Sequence, residues 1–275
     1  MSATVCLINI VRCVRDQVRT MLQDFVRANV RKHTGAAEDW RSREAALTAF
    51  GCLVDGPDRD ALLPFVNEAF EFMIQSGLND EHAMVRRTTL WTLGRIFEYL
   101  HTPDAQPQLV NKANVGALVA ALVAAMHADP LMATKACYAV QALAGGFKPT
   151  DESHALSPYF PQLAEELLKV AYSNVPAEQS AALHITAFEA MHTLISGSAN
   201  ESLPLVTQMV PHFLGLIDKS MGAADADANI ERKRGELQSQ LCAALQVWRC
   251  AVFAPTLTRL GAAERCLLNH NAVLA

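Results

Sequence analysis

What this 275-residue chain lacks narrows the field first. It has no run of 18 apolar residues, so no membrane-spanning helix is expected. It has no CxxC pair, and its seven cysteines are an odd number. Buried, reduced thiols in a cytosolic or nuclear protein are the simple reading. Aromatic residues make up only 7%. No stretch alternates convincingly with period two, so strands are not expected. There is no GxSxG, P-loop or GxGxxG, and no nucleophile stands beside a base at a readable spacing. The residues therefore suggest neither an enzyme nor a cofactor. "HITAFEAMH" sets His184 and His192 eight apart, not at the i, i+4 spacing of a helical zinc site, so no metal is expected. The N-terminal "ATVCLINIV" lacks the basic flank of a signal peptide. Residues 1–33 are basic and acid-poor like a mitochondrial presequence, but they also read as two ordinary helices of the fold. The sequon Asn200-Glu201-Ser202 is inert in the expected compartment.

What is present is apolar and helical. The hydrophobic fraction is 51% and the charged fraction 19%, enough apolar material for a large core. Ala and Leu are abundant, and both cost little in a helix. Apolar residues recur at i, i+3, i+4 and i+7 in nearly every segment, and Gly and Pro separate the segments. The pattern predicts helices over 2–14, 16–33, 39–54, 59–76, 82–101, 107–127, 130–144, 158–173, 178–196, 201–221, 230–253 and 256–270. Residues 1–33 carry a net charge of +4, so the remainder carries −9. An acidic body argues against nucleic acid, whose binding rests on releasing phosphate counterions, and suits a basic partner.

The helices come in pairs, and the pairs repeat. "SREAALTAFGCL" aligns with "VRRTTLWTLGRI", Arg43 on Arg86 and Gly51 on Gly94. "TKACYAVQALAG" then puts Lys135 at the arginine position. Intervals of 43 and 49 residues suit a solenoid of paired helices, A before B in each repeat. The repeat bounds are 1–14 (partial), 15–55, 59–101, 107–146, 158–197, 201–254 and 255–275 (partial). Helix 2–14 has no A partner and is expected to expose an apolar face, and residues 256–275 are expected to pack poorly. In two repeats an Asp (Asp80, Asp129) precedes the basic residue by six. Either the Asp caps its B helix beside an unrelated surface Arg, or the Arg reaches the Asp of the adjacent repeat and forms a ladder.

Within this frame, "DWRSREAALTAFGCLVDGPDRDALLPFV", "VRRTTLWTLGRIFEYL", "ADPLMATKACYAVQALA" and "LQSQLCAALQ" resemble, in order, the middle of the importin-β (karyopherin-β) family of nuclear import receptors. The resemblance implies an all-α, right-handed α-α superhelix of HEAT/armadillo type, with B helices on the concave side. It implies a non-enzymatic transport receptor of cytoplasm, nucleus and nuclear pore. The partners implied are the basic segment of importin-α or another basic cargo signal and, in a full-length receptor, FG-nucleoporins and Ran GTPase. Family members are much longer, so the chain reads as their middle third, a fragment or a truncated form. A HEAT scaffold or regulatory subunit of another class is the alternative.

Four residues are expected to contact the partner. Trp91 matches a concave-face Trp that stacks against basic side chains, and Tyr138 replaces a second one. Glu44 matches an acid that often follows the repeat Arg, whereas Arg87 reverses that charge. Glu98 lies two turns beyond Trp91. Each also has a plainer reading: Trp91 as packing between repeats, the glutamates as solvated helix charges. Trp40 and Trp248 read as packing residues.

Overall fold

The computed structural model describes residues 3–33, 38–105, 107–148, 152–173, 175–202 and 204–209, with the single positions 211 and 239. Every regular element among them is helical: α1 (Ala3–Val14), α2 (Asp16–Asn29), α3 (Asp39–Leu53), α4 (Arg59–Phe72), α5 (Ala83–Leu100), α6 (Val115–Met126), α7 (Pro130–Gly145), α8 (Phe160–Ala171) and α9 (Ala177–Ser196). The B-type helices α1, α3, α5, α7 and α9 pack consecutively in one row. Each A-type helix packs on the B helix that follows it: α2 on α3, α4 with its π turn (Met73–Gly77) on α5, α6 on α7 and α8 on α9. Neither layer can bury its apolar stripe alone, so stacking neighbours produces one continuous core.

That core follows the helical period. Leu47, Phe50 and Leu53 of α3 meet the stripe Leu62, Phe65, Val66 and Phe70 of α4 and the stripe Leu90, Leu93 and Phe97 of α5. Along α7 the buried residues are mostly small, with Ala133, Ala136, Ala139 and Ala144 beside Val140 and Leu143. Small residues let α7 approach α5 and α9 closely. Trp40 stacks on His82 with ring centroids 3.8 Å apart, the packing role expected of it. Cys52 and Cys137 are buried, and burial pushes their thiols up to about 11 and about 12. Cys13 is exposed, against the expectation that the thiols are buried. Helix α1 buries Val11 alone and leaves Val5 and Ile10 exposed, the apolar exposure expected of it.

Helix ends explain where the expected bounds hold or fail. Asp129 caps α7 by accepting from the amides of Leu131 and Met132 at 3.0 and 3.1 Å, with Pro130 in the first turn, where its missing N–H costs nothing. The helix expected from 107 begins only at Val115. The amide of Asn111 donates to Asn114 Oδ1, that of Ala113 donates to Asn111 Oδ1, and Asn114 Nδ2 donates to the Leu109 carbonyl. These local bonds compete with helix and hold 109–114 in turns. The helix expected over 158–173 opens with a 3-10 turn (Ser157–Tyr159). The helices expected at 230–253 and 256–270, and Trp248 with them, lie outside the described residues, as does nearly all of the stretch beyond Met209.

Candidate functional site

Ion pairs tie consecutive B helices together. Arg43 of α3 donates through Nε and Nη2 to both oxygens of Asp80, at 2.8 and 2.9 Å, with both side chains buried. Its Nη1 donates to the Lys32 carbonyl at 3.0 Å. Burial pushes the Asp80 carboxyl up, but the bonds from Arg43 and from the His82 amide outweigh it and hold the carboxyl below its usual range. One repeat later, Arg87 Nη2 reaches Asp129 at 3.0 Å. The expected ladder is present, with one correction of register: the second rung is Arg87, not Arg86. Arg86 turns back to the carbonyls of Asp80 and Glu81. Arg87 is therefore not a free charge reversing an acid, because it is engaged by Asp129. Cap and ladder also prove compatible, since Asp129 does both. Asp55 forms a second tie, accepting from Arg12 of α1 at 2.7 Å and Arg95 of α5 at 2.8 Å.

Between these ties lie two aromatic rings. Trp91 of α5 rests on Gly51 of α3, and a Cβ added there would stand 3.0 Å from ring atoms Cε3 and Cη2. Tyr138 of α7 rests on Gly94 of α5, where an added Cβ would stand 2.6 Å from Cδ1. Each ring thus needs a glycine on the preceding B helix. Both rings remain half-buried. Arg95 lies 4.3 Å from the Tyr99 ring centroid and 5.9 Å from that of Trp91.

The carboxylates of the row fall into two kinds. Asp55, Asp80 and Asp129 are held by arginines, which cancel their charge. Glu44 and Glu98 are held by hydroxyls. Glu44 Oε1 accepts from Thr48 at 3.1 Å and from Thr88 at 3.0 Å. Glu98 Oε2 accepts from Tyr138 at 2.6 Å. A hydroxyl restrains a carboxylate without neutralising it.

One hollow of about 520 Å³ takes side chains from all five B helices, from Thr4 on α1 to Ala182 on α9. Neighbouring helix axes lie roughly 8–10 Å apart, so a flat row could not bring its two ends to one hollow. The B row is curved, and its exposed side is the inner one. Glu44, Trp91, Thr88 and Lys135 line this hollow together. Tyr138 and Glu98 form a separate pair, further along α5 and α7. The four expected contact residues thus form two pairs on one row. Sequence reasoning missed Thr48 and Thr88, and it read Lys135 only as the basic residue of its repeat. The i, i+4 spacing of Glu44 and Thr48 was a usable signal. The hydroxyl of Thr88 comes from another repeat and left none.

Comparison with known proteins fits this architecture. Residues 117–250 match a family described as importin subunit beta-1-like TPR repeats, and residues 40–96 match a HEAT-like repeat. The chain is 34% identical over 247 residues to importin subunit beta-1 of Arabidopsis thaliana, covering 90% of this chain and 28% of that protein. Among solved structures, importin beta crystallised in ammonium sulfate superposes with a TM-score of 0.77 at 25% identity, covering 92% of this chain and 28% of the other. Kap95p, described as inducing the switch loops of RanGDP to adopt the GTP-bound conformation, superposes with a TM-score of 0.72 at 22% identity, over 89% and 27%. The chain thus spans little more than a quarter of the length of these relatives.

Proposed function

We propose, from the premise that this chain belongs to the importin-β family, that it is a segment of a nuclear import receptor whose inner B-helix surface binds a Lys/Arg-rich segment. The segment meant is the basic region of an importin-α-type adaptor or another basic cargo signal. The observation that carries the reading is the pair of hydroxyl-held carboxylates, Glu44 and Glu98, each beside a half-exposed aromatic ring. An oriented, unneutralised carboxylate attracts a cation, and an aromatic face adds to the attraction of a desolvated one. Binding spreads over several repeats, so many modest contacts add up. On this reading the receptor moves between cytoplasm and nucleus, and the activity is transport without catalysis. Ran and FG-nucleoporins are proposed as partners of a full-length receptor that contains this segment.

Titration of a fluorescent Lys/Arg-rich peptide at two salt concentrations tests the proposal. Trp91→Ala should weaken binding roughly 5- to 30-fold, the loss of one partly desolvated cation–π contact. Glu44→Lys should slow association and flatten its salt dependence, because the attraction it removes is long-range and screened. Unchanged affinity in Trp91→Ala would remove the inner-surface site and leave a HEAT scaffold of another class.

A further inference from the structure

Tyr138 does something that an indole in its place could not. Its ring lies where Gly94 leaves α5 without a side chain. Glu98 stands four residues beyond Gly94, one turn along the same face of α5. The tyrosine therefore extends across the glycine and delivers its hydroxyl to Glu98 Oε2 at 2.6 Å. That distance is typical of a charge-assisted O–H···O bond. Glu98 is itself exposed, and no ion pair to it is found among the described residues; Arg95, three residues before it, pairs with Asp55.

We infer that Tyr138 is a positioning residue: seated on Gly94, it fixes the Glu98 carboxylate as a pre-oriented acceptor for one cationic side chain of the bound segment. The inference rests on the basic-segment reading above and adds a division of labour to it. An exposed glutamate normally loses rotamer freedom when it engages a ligand. Here that freedom is already restricted before the ligand arrives. The hydroxyl leaves the negative charge in place, which an arginine partner would not. Burial raises the Tyr138 hydroxyl pKa, and the Glu98 charge raises it further, so the tyrosine remains the donor.

The experiment is a double-mutant cycle on the binding of the same basic peptide, with association and dissociation rates measured separately. Tyr138→Phe keeps the ring on Gly94 and removes only the donor, and thermal melting checks that the variant stays folded. The expected result is a roughly 3- to 10-fold loss of affinity, the span of one net hydrogen bond. The loss should appear in dissociation, with association unchanged, because the Glu98 charge still steers the ligand. Glu98→Gln should slow association as well. In the Glu98→Gln background, Tyr138→Phe should have no further effect. An equal loss in both backgrounds would mean that Tyr138 acts through packing alone and would overturn the inference. So would an unchanged affinity in Tyr138→Phe, while leaving the basic-segment reading intact. Failure of the unsubstituted protein to bind the peptide would overturn that reading and the inference with it.

Discussion

The joint between α3 and α5 and the joint between α7 and α9 are built from different materials. The first is crossed by directional polar bonds. Thr88 donates to Glu44, Thr92 to the Leu47 carbonyl, and Arg95 to the Gly51 carbonyl and to Asp55. The Arg43–Asp80 pair joins α3 to the turn before α5. Between α7 and α9, no side-chain hydrogen bond or ion pair is found among the described residues. Contact there is apolar, and a Cβ added at Gly145 would stand at an ordinary 3.7 Å from Thr193 Cγ2. Apolar packing is non-directional and tolerates a slide of one helix past the next. Hydrogen bonds at fixed distances do not. A solenoid that adjusts its pitch should therefore yield at α7/α9 before α3/α5.

The sharpest way to break this contrast is at Arg43. Arg43→Met leaves the Asp80 carboxylate buried without its partner, and a loss of about 3–5 kcal/mol is expected in urea unfolding. The same exchange at Arg87 should cost less than about 1 kcal/mol, because that pair is half-exposed to solvent. Equal losses at the two rungs would refute the graded ladder. Arg87→Asp should cost more stability than Arg87→Met, since it sets a carboxylate against Asp129.

Acid should act at the ends of α5 and α7. His101 is buried between Phe97 and Phe147, with neither ring nitrogen hydrogen-bonded. Burial, with the charges of Arg59 and His154 nearby, lowers its pKa to about 4 from an ordinary 6.5. The folded state thus refuses a proton that the unfolded state accepts. The stability this gives is complete above about pH 6.5 and is lost as pH falls towards 4. The loss should be about 2 kcal/mol at pH 5. Hydrogen exchange should show the loosening at the α5 and α7 C-termini, and His101→Phe should remove it. A pH-independent exchange rate there would count against the assignment.

Two glycine exchanges distinguish the two joints most directly. Gly51→Ala drives a methyl group into the Trp91 ring and should cost about 1–3 kcal/mol by overpacking. Gly145→Ala meets only Thr193 Cγ2 at 3.7 Å and should be neutral or stabilise by about 0.4–1 kcal/mol. Calorimetric melting of the two variants checks the sign of each.

The paired-helix architecture was legible because breaker spacing and the 3.6-residue period are local. The start of α6 was not, because the side chains of Asn111 and Asn114 claim backbone groups that the apolar pattern offers to a helix. The ladder was legible in kind but not in register. Arg86 and Arg87 are adjacent, and one residue turns a side chain by about 100° around the helix, so only the packed neighbour decides which of them reaches Asp129. Trp91 and Glu44 were readable from their resemblance to family positions, and they line the inner hollow. The coupling of Tyr138 to Glu98 was not readable, because it depends on the lateral register of two repeats. The Gly94 and Glu98 spacing carried half of that information.

Each aromatic ring belongs to one helix, and its glycine seat belongs to the helix before it. The rings are therefore gauges of curvature. Opening the coil draws Trp91 off Gly51 and Tyr138 off Gly94, and the aromatic faces lose their backing. A ligand that grips the rings holds the coil at one curvature, and the two effects are reciprocal. A load that straightens the spring must loosen the ligand, and a bound ligand must stiffen the spring. Grip and shape are then two readings of a single mechanical coordinate.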